Sequence, residues 1–179
     1  MLTSPYKLRR ARKKDIPLIR MVEREAVSLF RDMREDLGLG PQVILTPIEM
    51  VSAAQEGEKF WVAVDGEDRP VGFALVFEVD GLAHFHQLNV HPSHGRKGLG
   101  RALMQVVHDW ARECGYPGIT LSTFRDVPWN APFFARCGFR VMESEKLSPG
   151  LVQLVERERE RGMRMDLRVI MHLGLARAE

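Results

Sequence analysis

Residues 83–100 read Ala-His-Phe-His-Gln-Leu-Asn-Val-His-Pro-Ser-His-Gly-Arg-Lys-Gly-Leu-Gly, and the rest of the chain is arranged about them. The first half alternates as a strand does: His84, His86, Leu88 and Val90 fall on one face, Phe85, Gln87 and Asn89 on the other. Pro92 ends the strand, because it has no N–H to give to a ladder. From Arg101 onward Ala102, Leu103, Val106, Val107, Trp110 and Ala111 recur at helical spacing. Between strand and helix lie Gly95, Arg96, Lys97, Gly98, Leu99 and Gly100. Glycines let backbone N–H groups close on an anion, and a helix N-terminus adds positive potential. The pattern predicts a phosphate-gripping turn fed by a strand that carries two histidines.

Upstream, Asp80-Gly81 turns the chain into this strand. Phe60 to Val64 and Val71 to Val79 are two apolar runs joined by a turn over 65–70, so three consecutive strands should form an antiparallel meander. Thr46 and Glu49 have the spacing of a capping box for a helix running to about Gly57. Before it, Gly38-Leu39-Gly40-Pro41 breaks a helix that starts near Asp15, a plausible N-cap with Pro17 in the first turn. Ile16, Ile19, Val22, Ala26, Leu29 and Phe30 form its apolar stripe, and Tyr6 to Arg10 is a first strand.

Downstream, 115–118 ends the central helix and Ile119 to Phe124 is a strand. Two strands joined through a helix imply a right-handed crossover, so this one should lie parallel to the histidine strand. Pro128 to Arg136 reads as a short helix stopped by Gly138, and Phe139 to Met142 as a strand. Leu151 to Arg161 is a charged helix with Leu151, Val152, Leu154 and Val155 inward, and Arg168 to Leu173 is a last strand. The charge run from Glu156 to Arg161 reads as a solvated face with i,i+4 pairs. With no repeat, low-complexity segment or linker, the expectation is one domain over 1–179, a mixed α/β layer.

Composition narrows the function. Lys and Arg number 26 against 24 Asp and Glu, a net charge of +2, which does not suit a bulk nucleic-acid binder. Cys114 and Cys137 are too few for a disulfide framework and fit a reducing, cytoplasmic setting. No apolar run approaches the ~20 residues that cross a bilayer, so no membrane partner is expected. The basic start, Lys7 to Lys14, reads as a strand running into a helix rather than a transit peptide.

The strand, Gly-Arg-Lys-Gly-Leu-Gly, the helix, the next strand, Asn130-Ala131 and Cys137-Gly138-Phe139 together resemble the GNAT superfamily of acetyl-CoA-dependent N-acetyltransferases. The likeness covers nearly the whole element order and is sharpest from His84 to Phe139. It implies a mixed, mostly antiparallel twisted sheet of about seven strands with helices on both faces. The family's turn has Arg or Gln where this chain has Gly95, and Arg96 stands one place later. More narrowly, His-Phe-His-Gln-Leu-Asn-Val-His looks like the arylalkylamine N-acetyltransferases, whose His-x-His pair draws the proton from the amine through water.

A primary amine with pKa about 10 arrives protonated and cannot attack a thioester until that proton leaves. A histidine near neutrality can accept it, and alternation aims His84 and His86 the same way. The rival reading is two half-buried histidines satisfied by neighbours. A metal site among His84, His86, His91 and His94 lacks a carboxylate or cysteine at ligand spacing, so no metal is expected. The resemblance implies that the 95–101 segment holds the cofactor's pyrophosphate, with Arg96, Lys97 and Arg101 as candidate partners for further phosphate charge. A nucleotide-hydrolysing P-loop would need Gly-Lys-Ser/Thr, which is missing.

The resemblance adds that the backbone of Leu88, Asn89 and Val90 pairs with the pantetheine arm, with donors aimed at the thioester oxygen. It implies that Asn130 bonds that arm; the plain alternative is a capping or turn role. It also places Phe134 where the family usually has a tyrosine that protonates the departing thiolate, and phenylalanine cannot do this. Trp129 and Phe133 are candidates for the cavity wall or the core.

The function expected is acetyl transfer from acetyl-CoA to a small-molecule primary amine, by direct attack in a ternary complex. A CoA-binding sensor domain without turnover, and an acetyltransferase of protein N-termini or lysines, are the alternatives. The last strand is a candidate for pairing in a homodimer.

Overall fold

A computed structural model describes residues 5–40 and 45–175. In chain order they hold β1 (Lys7–Arg10), α1 (Ile16–Val27), α2 (Ile48–Glu56), β2 (Phe60–Val64), β3 (Pro70–Val79) and β4 (Leu82–Val90). Then come α3 (Leu99–Glu113), β5 (Gly118–Phe124), α4 (Ala131–Arg136), β6 (Arg140–Val141), α5 (Pro149–Glu160) and β7 (Arg168–Gly174). The seven strands are ordered β1-β2-β3-β4-β5-β7-β6. The β4–β5 ladder is parallel, as a crossover through α3 requires, and the β1–β2, β2–β3, β5–β7 and β6–β7 ladders are antiparallel. This mixed α/β architecture is the one the sequence led us to expect. Asp80 and Gly81, with φ of 49° and 75°, form the kind of two-residue turn that closes a hairpin.

The chain divides into two compact units, and β3 and β4 each contribute to both. In the first, α1 and α2 bury Ile19, Val22, Val51 and Ala54 in one cluster with Phe60, Val62, Val64, Phe73 and Leu75. Trp61, alternate to Phe60 and Val62, instead meets Trp110 of α3 edge-on, with ring centroids 5.1 Å apart. All five β2 residues are buried, which explains an apolar run without polar alternation. The second unit, residues 33–41, 78–85 and 111–179, is built on the β5–β7 ladder from Gly118↔Gly174 to Phe124↔Arg168. Its aromatic centre is Phe134, whose ring meets Phe85, Phe133 and Phe139.

Several expected local features take another form. Thr46 does not cap α2, whose N-cap is Pro47 without a side-chain bond. Instead its N–H and hydroxyl donate to the buried Glu23 carboxylate of α1, at 2.8 and 2.7 Å. Asp15 stands at the N-cap of α1 but its carboxylate turns back, accepting from the Arg12 N–H at 2.7 Å and from Arg9 at 2.6 Å. An arginine within reach outcompetes the helix for that acceptor. Leu29 and Val152, expected inward, are 44% and 43% exposed. Leu29 falls outside α1, in a 3-10 turn (Ser28–Met33) whose tighter period moves it off the apolar stripe. The expected strand from Phe139 to Met142 shortens to β6. Pro41, at the end of the expected helix break, lies outside the described residues. β7 sits between β5 and β6 inside the sheet, so the last strand is not an edge for a partner copy.

Candidate functional site

The β4–β5 ladder has three rungs, Ala83↔Ile119, His84↔Thr120 and Phe85↔Leu121, and β4 then runs on through Val90. Leu88, Asn89 and Val90 lie on this extension, half-buried. Gly72 of β3 lets that backbone come close: a Cβ there would meet Asn89 O at 3.1 Å and Val90 Cγ2 at 3.2 Å. The Asn89 side chain is tied down, donating from Nδ2 to Gln87 Oε1 at 2.7 Å. β4 ends where Pro92 opens a single 3-10 turn, Pro92–His94.

The glycine segment follows. Gly98 has a φ of 78°, which favours glycine, and α3 starts at the next residue, two earlier than the apolar spacing suggested. Leu99, Leu103 and Val107 are buried at 1%, 0% and 0% exposure and fix the head of the helix in the core. Gly95 sits at φ −63°, where any residue fits, while Arg96 takes the left-handed conformation at φ 58°. The glycine and the left-handed position are thus one residue out of step. Arg96, Lys97, Gly98 and Arg101 are exposed at this end, and Gly100 is half-buried in the first turn of α3. Orphan amides at the head of a 15-residue helix, with three flanking cations, are suited to a phosphate.

The two histidines have different surroundings. His84 is 2% exposed, and its Nδ1 is hydrogen-bonded to Thr120 Oγ1 at 2.9 Å. His86 is half-buried, its ring edge-on to Phe77 with centroids 5.1 Å apart. One alternating face therefore carries an enclosed imidazole and a more accessible one. His94, in the turn, is held below its ordinary pKa by burial and then by the Lys97 ammonium. Among the described residues no group of three His, Cys, Asp or Glu is placed to hold a metal ion.

Asn130 precedes α4 without capping it; its Nδ2 donates to Thr123 Oγ1 at 2.7 Å. Its Oδ1 is buried without a hydrogen-bond partner among the described residues. A buried amide oxygen left open is costly unless something else bonds it, and an amide N–H of a bound molecule is a fitting donor. Phe134 is 6% exposed at the centre of the aromatic cluster, and Trp129 is 41% exposed.

His86, Leu88 to Val90 and 95–101 thus follow one another through strand, turn and helix in the first unit, while His84, Asn130 and Phe134 belong to the second. Sequence reasoning did not find Thr120 and Thr123 as partners of His84 and Asn130. The signal was present, since two threonines buried on a largely apolar strand need hydrogen-bond partners. A cavity of about 340 Å³ opens elsewhere in the first unit, lined by residues that include Lys7, Arg9, Arg12 and Asp68. Arg9 and Arg12 there are already paired with Asp68, and Arg9 with Asp15 as well, so the cavity offers little spare charge.

Residues 24–139 match the sequence profile of the Acetyltransferase (GNAT) family. Among solved structures, the chain is similar to the ribosomal-protein-S18-alanine N-acetyltransferase from Escherichia coli. The TM-score is 0.65 and the identity 18%, over 97% of this chain and 96% of that one. A second is PaiA N-acetyltransferase from Thermoplasma acidophilum in complex with coenzyme A, at TM-score 0.65 and 15% identity, over 95% and 99%. A third is N-acetylglutamate synthase from Neisseria gonorrhoeae, complexed with coenzyme A and N-acetyl-glutamate. It gives a TM-score of 0.70 and 18% identity over 98% of this chain but 36% of that longer one. At these identities the likeness is one of fold.

Proposed function

The chain belongs to the GNAT family of acetyltransferases, and from this we propose that it moves an acetyl group from acetyl-CoA to a primary amine, of small-molecule type. The observation that carries the reading is the sequence of an imidazole-bearing strand, a left-handed glycine turn and a core-anchored helix head within residues 84–101. Acetyl-CoA supplies the activated acyl group as a thioester. The amide groups of 98–101, with Arg96, Lys97 and Arg101 beside them, would hold its pyrophosphate. The backbone of Leu88, Asn89 and Val90 would bond the pantetheine arm, as would Asn130, whose open Oδ1 suits an amide donor.

The amine nitrogen must shed a proton before it attacks, and His86 is the base we assign to that step, directly or through water. His84, bonded to Thr120, is its partner on the same strand face, in keeping with the arylalkylamine-like His-x-His pattern. Phe134 has no proton to give, so water returns the proton to the departing thiolate, which is tolerable for a thiol of pKa about 8.5.

The test is release of free thiol from acetyl-CoA over a panel of arylalkylamines, polyamines and peptides with free N-termini. Turnover with small amines is expected. Turnover confined to peptides would favour the second reading, a protein acceptor, for which the name of the Escherichia coli neighbour is the support. Binding of CoA without thiol release from any amine would leave a sensor domain.

A further inference from the structure

Tyr6, just before β1, lies 91 residues from Lys97, yet the Lys97 ammonium donates to its hydroxyl at 2.9 Å. That same hydroxyl is bonded to His94 Nδ1 at 2.9 Å, across 88 residues. The Tyr6 and His94 rings meet edge-on with centroids 5.7 Å apart, and the ammonium lies 5.5 Å from the centre of the tyrosine ring. An ammonium can only donate, so the tyrosine oxygen accepts from Lys97. Its bond to His94 Nδ1 runs in the direction that the histidine tautomer sets. Burial, the Lys97 charge and His91 all oppose protonation of His94, as does Arg69 of the β2–β3 turn, while Asp65 there favours it.

We propose that Tyr6 is a positioning residue for the phosphate groups of the acyl-CoA, one hydroxyl holding both His94 and Lys97 against the turn between them. The proposal rests on the reading of residues 95–101 as the phosphate site. Its physical content is preorganisation. A free lysine loses rotamer freedom when it is fixed on a ligand, and one already held by a hydroxyl and a ring loses less. His94 and Lys97 bracket Gly95 and Arg96, so the same two bonds brace the left-handed residue whose amide borders the site. No motif signals Tyr6, because its partners are brought to it only when β1 joins the sheet.

Tyr6→Phe keeps both ring contacts and removes only the hydroxyl. Binding of CoA and of pantetheine, which lacks the phosphates, is measured by calorimetry and NMR titration. The proteins are wild type, Tyr6→Phe, Lys97→Met and the double variant, with thermal melts alongside. We expect Tyr6→Phe to weaken CoA binding about threefold to tenfold and to leave pantetheine binding unchanged. Lys97→Met should weaken CoA binding too, and the double variant should lose less than the two changes combined. Unchanged CoA affinity in Tyr6→Phe, an equal loss for pantetheine, or full additivity would each overturn the proposal. If Tyr6→Phe does not fold, Lys97→Met decides alone: a CoA affinity equal to wild type refutes it. A wild type that binds no CoA would instead overturn the phosphate-site reading beneath it, so the two failures are distinct.

Discussion

Asn130 donates from Nδ2 to Thr123 Oγ1 at 2.7 Å, and that bond fixes its amide so that Oδ1 is the end left buried and open. If this oxygen serves the pantetheine arm, Asn130→Ala should raise the Kd for CoA by about tenfold, the worth of one buried hydrogen bond. Thr123→Val frees the amide to turn and should give a smaller loss in the same direction. Calorimetry on the two variants checks the order.

The contrast between the two histidines predicts a split. His86→Ala should keep the fold and lower turnover at least about 100-fold, most severely below pH 8, where the amine is most fully protonated. His84→Ala should also cut activity, but with a lowered Tm, because it empties a buried site and strands Thr120 Oγ1. Initial rates over pH 6.5–9.5 with parallel melting curves separate the two.

Arg96 is a non-glycine residue in the left-handed region, a conformation that costs on the order of 1 kcal/mol or more. Arg96→Gly should therefore stabilise the unliganded protein by about 1 kcal/mol while weakening CoA binding through the lost charge. Gly98→Ala, at φ 78°, should destabilise by a similar amount. Urea unfolding with and without CoA reads both effects.

The 156–161 run is an exposed helix face, as its charge led us to expect, except at Glu158, which joins a half-buried ion pair in the second unit. Glu158 of α5 accepts from Ser122 at 2.6 Å and from Arg168 at 3.1 Å, and the Arg168 guanidinium lies 4.9 Å from the centre of the Phe124 ring. Glu158→Ala would leave a half-buried cation without its carboxylate and should cost about 1–2 kcal/mol. The paired change Glu158→Leu with Arg168→Leu should cost less, a difference measurable by denaturant titration.

Acid sensitivity should follow the Asp15–Arg9 pair. Burial pushes the Asp15 carboxyl up, but the Arg9 guanidinium and the Arg12 amide outweigh it and hold the group below its ordinary value. A carboxylate depressed in the folded state contributes stability that is complete above its unfolded pKa of about 3.9 and lost as pH falls through the lower, folded one. Asp15→Asn should cost about 2 kcal/mol at pH 7 and flatten the stability profile below about pH 4. Melting temperatures at stepped pH check the sign.

The sequence alone carried the order of elements, the parallel β4–β5 pairing, the glycine turn and the family. Each of these is written in a local period: two along β4, 3.6 along α3, or the fixed spacing of Gly98 and Gly100. Backbone conformation responds to neighbours a few residues apart, so such signals survive without knowledge of the fold.

Tertiary structure decided which partner each polar side chain takes. Thr46 bonds Glu23 instead of capping α2, and Glu158 turns inward to Ser122 and Arg168. His84 meets Thr120, and Tyr6 reaches Lys97 across most of the chain. Local spacing sets where a side chain can point. Which donor stands opposite it depends on strands and helices distant in sequence, and burial then makes that one pairing obligatory.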